Sequence, residues 1–194
     1  MSNADILRRL ERMEASIAIQ QLPSRYAMAV DSRNLDDLAD LYVDDIDFGQ
    51  LGKGRDALKA YFTAATSVFY RSIHQIMGHK FDFIDDDNAV GQVYCRADHE
   101  RGDTWIVAQM CYFDKYVRRD GKWYFADKRD FDFYYCADSL EHPQDVGFQR
   151  FVVPGMKLDV PMMVDRFPSW QAFWDAQGAE AVAKLTAQPR SKPA

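Results

Sequence analysis

Residues 72–99, SIHQIMGHKFDFIDDDNAVGQVYCRADH, decide how the chain folds. Up to residue 84 the side chains alternate with a period of two, and Asp85, Asp86, Asp87 and Asn88 then form a strong turn signal. Residues 89–99 resume the alternation, with Val93, Cys95, Ala97 and His99 on one face and Gln92, Tyr94, Arg96 and Asp98 on the other. Residues 104–117 read as a further long strand. Arg119-Asp120-Gly121 is a hairpin signature joining it to a strand over 122–135.

Upstream the period is that of a helix. Ile6, Leu7, Leu10, Met13, Ile17 and Ile19 recur at near-helical spacing over residues 4–22, and Pro23 interrupts them. Tyr26, Ala27, Ala29 and Val30 resume the helix, which ends at residues 31–34. Asn34 caps a short helix with Leu35, Leu38 and Leu41 on one face, and a short strand over 45–48 leads into a glycine turn. Residues 55–69 are helical again, with Leu58, Tyr61, Phe62 and Ala65 inward.

Helices followed by a run of antiparallel strands indicate an α+β fold with the helices packed on one curved sheet. Beyond residue 137 the period fades among Pro143, Pro154, Pro161 and Pro168, apart from a helix at 169–177 with Ser169 as its cap and Trp170, Phe173 and Trp174 in one stripe. The expected organisation is one domain over 1–136 and an extension over 137–194, packed on that domain or on a neighbouring subunit.

The 194 residues, 47% hydrophobic and 28% charged, have the composition of a globular domain rather than a disordered chain. A net charge of −6 argues against a nucleic-acid partner. No run approaches the ~20 apolar residues of a membrane span. Cys95, Cys111 and Cys136 form no metal-binding or redox pair, and with no apolar leader the expected compartment is a reducing cytoplasm.

Common nucleotide, hydrolase and metalloprotease motifs are absent. What remains is a set of ionisable side chains on otherwise apolar elements: Tyr26, Asp31, His74, His99, Tyr112 and Lys128. Each has an ordinary reading: a helix cap or turn residue for Asp31, satisfied core groups for His74 and the tyrosines, a strand-end residue for His99, a solvated charge for Lys128. The acidic loop Asp44, Asp45 and Asp47 is a weak metal signal, and no metal or cofactor is expected.

The stretches QLPSRYAMAVDSRNLDDLADLYVDD, GRDALKAYF, SIHQIMGHKF, VYCRADHE and YFDKYVRRDGKWYFADKR resemble the SnoaL-like branch of the nuclear transport factor 2-like superfamily, over about two-thirds of the chain. The resemblance implies a cone-shaped α+β barrel, the cystatin-like form, in which a curved antiparallel sheet wraps around N-terminal helices. It is similar to the scytalone dehydratase and hexachlorocyclohexane dehydrochlorinase members, which eliminate a small leaving group without metal or organic cofactor. Their carboxylate–histidine base pair then falls on Asp31 and His74, the dehydratase's second histidine on His99, the dehydrochlorinase's basic residue on Lys128 and its tryptophan on Phe48. The dehydratase's tyrosine falls on Val30, which leaves Tyr26 and Tyr112 as replacements.

The implied activity is a lyase reaction on a small aromatic or apolar substrate, losing water, halide or formaldehyde, with lignin-derived diarylpropanes among the candidates. An isomerase or cyclase using the same base, and a non-catalytic carrier or dioxygenase small subunit, are the alternatives. Tyr94, Phe113, Trp170 and Trp174 are available to cover the helix-free face of the sheet, so a homotrimer or homodimer is expected.

Overall fold

A computed structural model describes residues 2–139 and 167–186. Helix α1 (Asn3–Asp31) and the short α2 (Leu35–Ala39) precede a 3₁₀ turn (Gly49–Leu51) and α3 (Gly54–Thr66). Five strands follow: β1 (Arg71–Phe83), β2 (Asn88–Arg101), β3 (Thr104–Arg119), β4 (Lys122–Phe125) and β5 (Asp130–Asp138). Helices α4 (Pro168–Gln177) and α5 (Ala179–Leu185) complete the described chain.

The strands form one antiparallel sheet in the order β1-β2-β3-β4, and β5 pairs with β3 beyond β4. The α+β cone is therefore the fold, with α1 on its concave side. Asp85 Oδ1 accepts the backbone N–H groups of Asp87 and Asn88 at 2.8 Å each, which turns β1 into β2. Asp120 and Gly121 have φ of 50° and 78°, the left-handed pair that a two-residue hairpin between β3 and β4 requires. The core joins Ile19, Leu22 and Tyr26 of α1 to Leu38, Tyr42, Leu58 and Phe62 and to the sheet residues Val93, Cys95, Tyr116 and Phe125.

Several expectations are corrected. Pro23 does not interrupt α1: the helix runs through it for 29 residues, because the ring is buried against the core and packing outweighs the lost backbone bond. Of the stripe on its first half only Ile19 is buried; Ile6, Leu7, Leu10, Met13 and Ile17 face outward, and burial begins at Ala15. Ala65 is exposed and Thr66 buried in its place, its hydroxyl donating to the Phe62 carbonyl.

No strand forms over 45–48, where a single bridge joins Asp47 to Lys53. The strand expected over 122–135 is two, broken at residues 126–129. Ser169 is not the cap of α4 but lies in its first turn, where its hydroxyl donates to the Ser32 carbonyl at 2.7 Å. Trp170 and Trp174 do not cover the outer sheet face; they pack on Tyr70 beside the end of α1.

Candidate active site

Helix α1 ends in a Schellman turn: the N–H of Arg33 bonds the Val30 carbonyl and that of Asn34 the Ala29 carbonyl, at 3.1 and 2.9 Å. This turn brings the last helical residue, Asp31, over the first half of β1. A carboxylate at a helix C-terminus opposes the helix dipole, so it needs donors from elsewhere. His74 supplies two. Its backbone N–H donates to Asp31 Oδ2 at 2.8 Å and its Nδ1 to Oδ1 at 2.6 Å. A carboxylate oxygen accepts, so Nδ1 carries a proton, and in the neutral ring the lone pair is on Nε2.

The hydrogen bonds of His74 among the described residues run from its backbone N–H and Nδ1, and Nε2 takes part in none of them. The two side chains are 9% and 7% exposed, sheltered without being sealed. Ser72, His74 and Ile76 share the inner face of β1. The extra residue Met77 then bulges outward and switches the inward set to His79, Phe81 and Phe83.

His99 lies across from Ser72 on β2, stacked on Phe69 at 4.2 Å and with its ring 5.4 Å from that of His74. Burial, then the neighbouring His74 and the Arg33 charge, push its pKa down to about 3. The native state therefore binds fewer protons than the unfolded chain between pH 3 and the ordinary histidine value of about 6.5. Stability from this group is present above that value and is lost as pH falls through the window, by about 2 kcal/mol at pH 5. Urea melts at pH 7.5 and pH 5 are expected to show His99→Gln gaining about 2 kcal/mol on the wild type; parallel losses in the two proteins would contradict it.

A second group lies further along the inner face. Tyr26 and Tyr112 pack edge to face at 6.0 Å, and the Arg129 guanidinium sits 3.8 Å from the Tyr112 ring centroid and 4.5 Å from that of Tyr26. Burial pushes the Tyr26 hydroxyl up to about 12 and that of Tyr112 well above its ordinary value, so both are donors at neutral pH. Arg129 donates from Nε and Nη2 to the two oxygens of Asp114, each at 2.7 Å. Burial opposes its charge, but the Asp114 carboxylate more than offsets this. Its Nη1 has no partner among the described residues.

Phe48 packs on Tyr61 at a tilt, with ring centroids 4.9 Å apart, and Lys128, exposed, places Nζ 5.2 Å from the Tyr61 ring. The structure thus unites Asp31, His74 and His99 in one group and Tyr26 with Tyr112 in another. Phe48 and Lys128 sit at the edge of the second through Tyr61 and Phe62. Asp45 and Asp47 are paired with Arg119 and Lys53, and among the described residues no three His, Cys, Asp or Glu side chains converge as metal ligands.

The SnoaL-like domain family matches residues 11–129, which is more than half of the chain and includes both groups. The chain belongs to the SnoaL-like family. Hexachlorocyclohexane dehydrochlorinase 1 of Sphingobium indicum is 29% identical to it over 121 residues, 59% of this chain and 79% of that protein. The structure of a hexachlorocyclohexane dehydrochlorinase from Novosphingobium barchaimii superposes with a TM-score of 0.61 at 24% identity, covering 75% of this chain and 99% of that one. A scytalone dehydratase-like protein of Novosphingobium aromaticivorans gives 0.56 at 24% identity, covering 68% and 92%. These structures share the fold, and the family includes lyases.

Arg129, one position beyond the exposed Lys128, is a buried residue of this SnoaL-like chain that the sequence reading did not single out. Residues 127–130, DKRD, look uniformly solvated, and the break between β4 and β5 destroys the alternation that would separate Lys128 from its neighbour. A usable signal lay on β3. Asp114 falls in the inward set Ala108, Met110, Tyr112 and Tyr116, and a buried carboxylate requires a buried cation. Arg33 and Ser72 were missed for a different reason: nothing in the sequence links a helix-end turn to the start of a strand 39 positions away.

Proposed function

We propose that this SnoaL-like protein is a cofactor-independent lyase that deprotonates a small aromatic or apolar substrate and expels water, halide or formaldehyde. Lignin-derived diarylpropanes fall within this substrate class. The observation that carries the reading is the double hydrogen bond from His74 to Asp31, which leaves Nε2 without a partner among the described residues and so able to act as a base.

In loss of water or halide, His74 Nε2 takes a proton from carbon, the C–H electron pair becomes a double bond, and the leaving group departs with its own bonding pair, a departing hydroxyl oxygen taking a proton from a neighbouring donor to leave as water. In loss of formaldehyde the proton comes from a hydroxymethyl O–H, its electron pair becomes the formaldehyde C=O, the pair of the broken C–C bond becomes the new C=C, and a leaving group on the next carbon departs with its own bonding pair. His99 and the tyrosine hydroxyls supply donors to the charge that develops, and the Arg129 cation favours an anionic leaving group. The relatives named as dehydrochlorinases support elimination over isomerisation.

Incubation with a panel of polychlorinated cyclohexanes, aryl alcohols and diarylpropane diols is expected to release chloride, water or formaldehyde with an unsaturated product, at a rate chelator leaves unchanged. A chelator-sensitive rate would redirect the chemistry to a metal. Among the described residues no helix is long and apolar enough to cross a membrane. Cytoplasmic location and a homodimeric or homotrimeric state belong to the same proposal. Tyr94, Phe113, Phe131, Phe133 and Tyr134 are exposed on the sheet, and light scattering is expected to give a multiple of the chain mass.

A further inference from the structure

Arg33 occupies the left-handed position that closes α1, with φ of 56°, where glycine is the usual residue. A non-glycine side chain there costs about 1 kcal/mol, so its presence asks what the side chain does. The guanidinium turns inward and is almost completely buried. Nη1 donates to the Val30 carbonyl at 2.6 Å, and Nη2 to the Phe69 carbonyl at 2.9 Å and to Ser72 Oγ at 3.2 Å. On its other side Ser72 Oγ lies 3.1 Å from His99 Nδ1. Ser72 is itself buried, and no other side-chain partner is assigned to it among the described residues.

The direction of these bonds follows from the donors. A guanidinium only donates, so Ser72 Oγ accepts from Arg33. The hydroxyl still has one proton to place. Of its two neighbours only His99 Nδ1 can accept it, and a buried hydroxyl without an acceptor is costly. His99 Nδ1 therefore carries the lone pair, and the ring proton sits on Nε2, which takes part in none of the hydrogen bonds among the described residues. The fixed positive charge of Arg33 also works against a second proton on the ring.

We propose that Arg33 and Ser72 are positioning residues that lock His99 as a neutral hydrogen-bond donor through Nε2, opposite in tautomer to His74. Resting on the lyase reading, this divides the labour: Asp31 makes His74 the proton acceptor, and Arg33 acting through Ser72 makes its neighbour the donor. Two adjacent imidazoles held in opposite tautomers keep the proton to be taken and the charge to be stabilised on different groups.

Histidine side-chain ¹⁵N NMR on the full chain tests this without a substrate, the His99 signals being those lost in His99→Gln. The wild type is expected to show Nδ1 bare and Nε2 protonated, unchanged from pH 8 to pH 5. Ser72→Ala is expected to mix in the Nδ1–H form, and Ser72→Thr, which keeps the hydroxyl, to restore the wild-type spectrum. Arg33→Gly, which suits the backbone and removes the guanidinium, is expected to mix the tautomers as Ser72→Ala does, and stands in for it if that variant does not fold. On a turned-over substrate, Ser72→Ala should lower kcat about 10-fold with KM little changed, and Ser72→Thr should recover it.

A wild-type His99 with its proton on Nδ1, one that titrates above pH 5, or a spectrum indifferent to both Ser72→Ala and Arg33→Gly overturns the proposal. Those results leave the lyase reading standing if His74→Ala abolishes turnover. Conversely, the expected spectra with a fully active His74→Ala would leave the lock in place and remove the base.

Discussion

Asp114→Ala is expected to destabilise the protein by about 3–5 kcal/mol, lowering Tm by about 10 °C. The carboxylate is the only anion the structure pairs with Arg129 among the described residues, and both side chains are at most 2% exposed. Without it the guanidinium remains a buried cation among the rings of Tyr26, Tyr112 and Phe125, and the Tyr116 hydroxyl loses one of its two partners, keeping His79 Nε2. The cost comes from the charge left behind rather than from the pair's net contribution. Buried ion pairs often contribute little net stability, so Asp114→Ala combined with Arg129→Met is expected to melt above the single variant. Thermal melts of the three proteins check this, and a single variant within about 1 kcal/mol of wild type would contradict it.

The same pair shows how far the chain could be read without coordinates. The sheet was legible because a period of two persists through β1, β2 and β3 and the turns carry their own residue signals. The inward placing of Val93, Cys95, Ala97 and His99 follows from that period alone. What failed was local. The outward bulge at Met77 changes parity in mid-strand without a sequence mark, and the break at residues 126–129 hides which of Lys128 and Arg129 turns inward.

The apolar stripe of Ile6, Leu10, Met13 and Ile17 has helical spacing, but spacing identifies an apolar face without saying what it packs against. Asp31 and His74 became a pair in the sequence only through family resemblance, since 43 residues separate them. Contacts of that range are set by the whole fold.

His74→Ala is expected to reduce turnover by roughly 1,000- to 10,000-fold, because general-base catalysis has no substitute among the neighbouring groups. His99 cannot take over while its Nδ1 is bonded to Ser72 and its proton lies on Nε2. Asp31 would retain the backbone N–H of residue 74 but lose the imidazole donor, an unsatisfied buried oxygen costing about 1–3 kcal/mol. The variant should therefore fold, melting a few degrees lower. His74→Gln, which retains a side-chain donor, is a second folded reference should alanine prove less stable. The decisive measurement is the turnover rate of folded His74→Ala beside wild type on one substrate, with Tm recorded for both. A folded variant with turnover reduced at least 1,000-fold is the predicted result, and a folded variant working at the wild-type rate would contradict the assignment of His74 as the base.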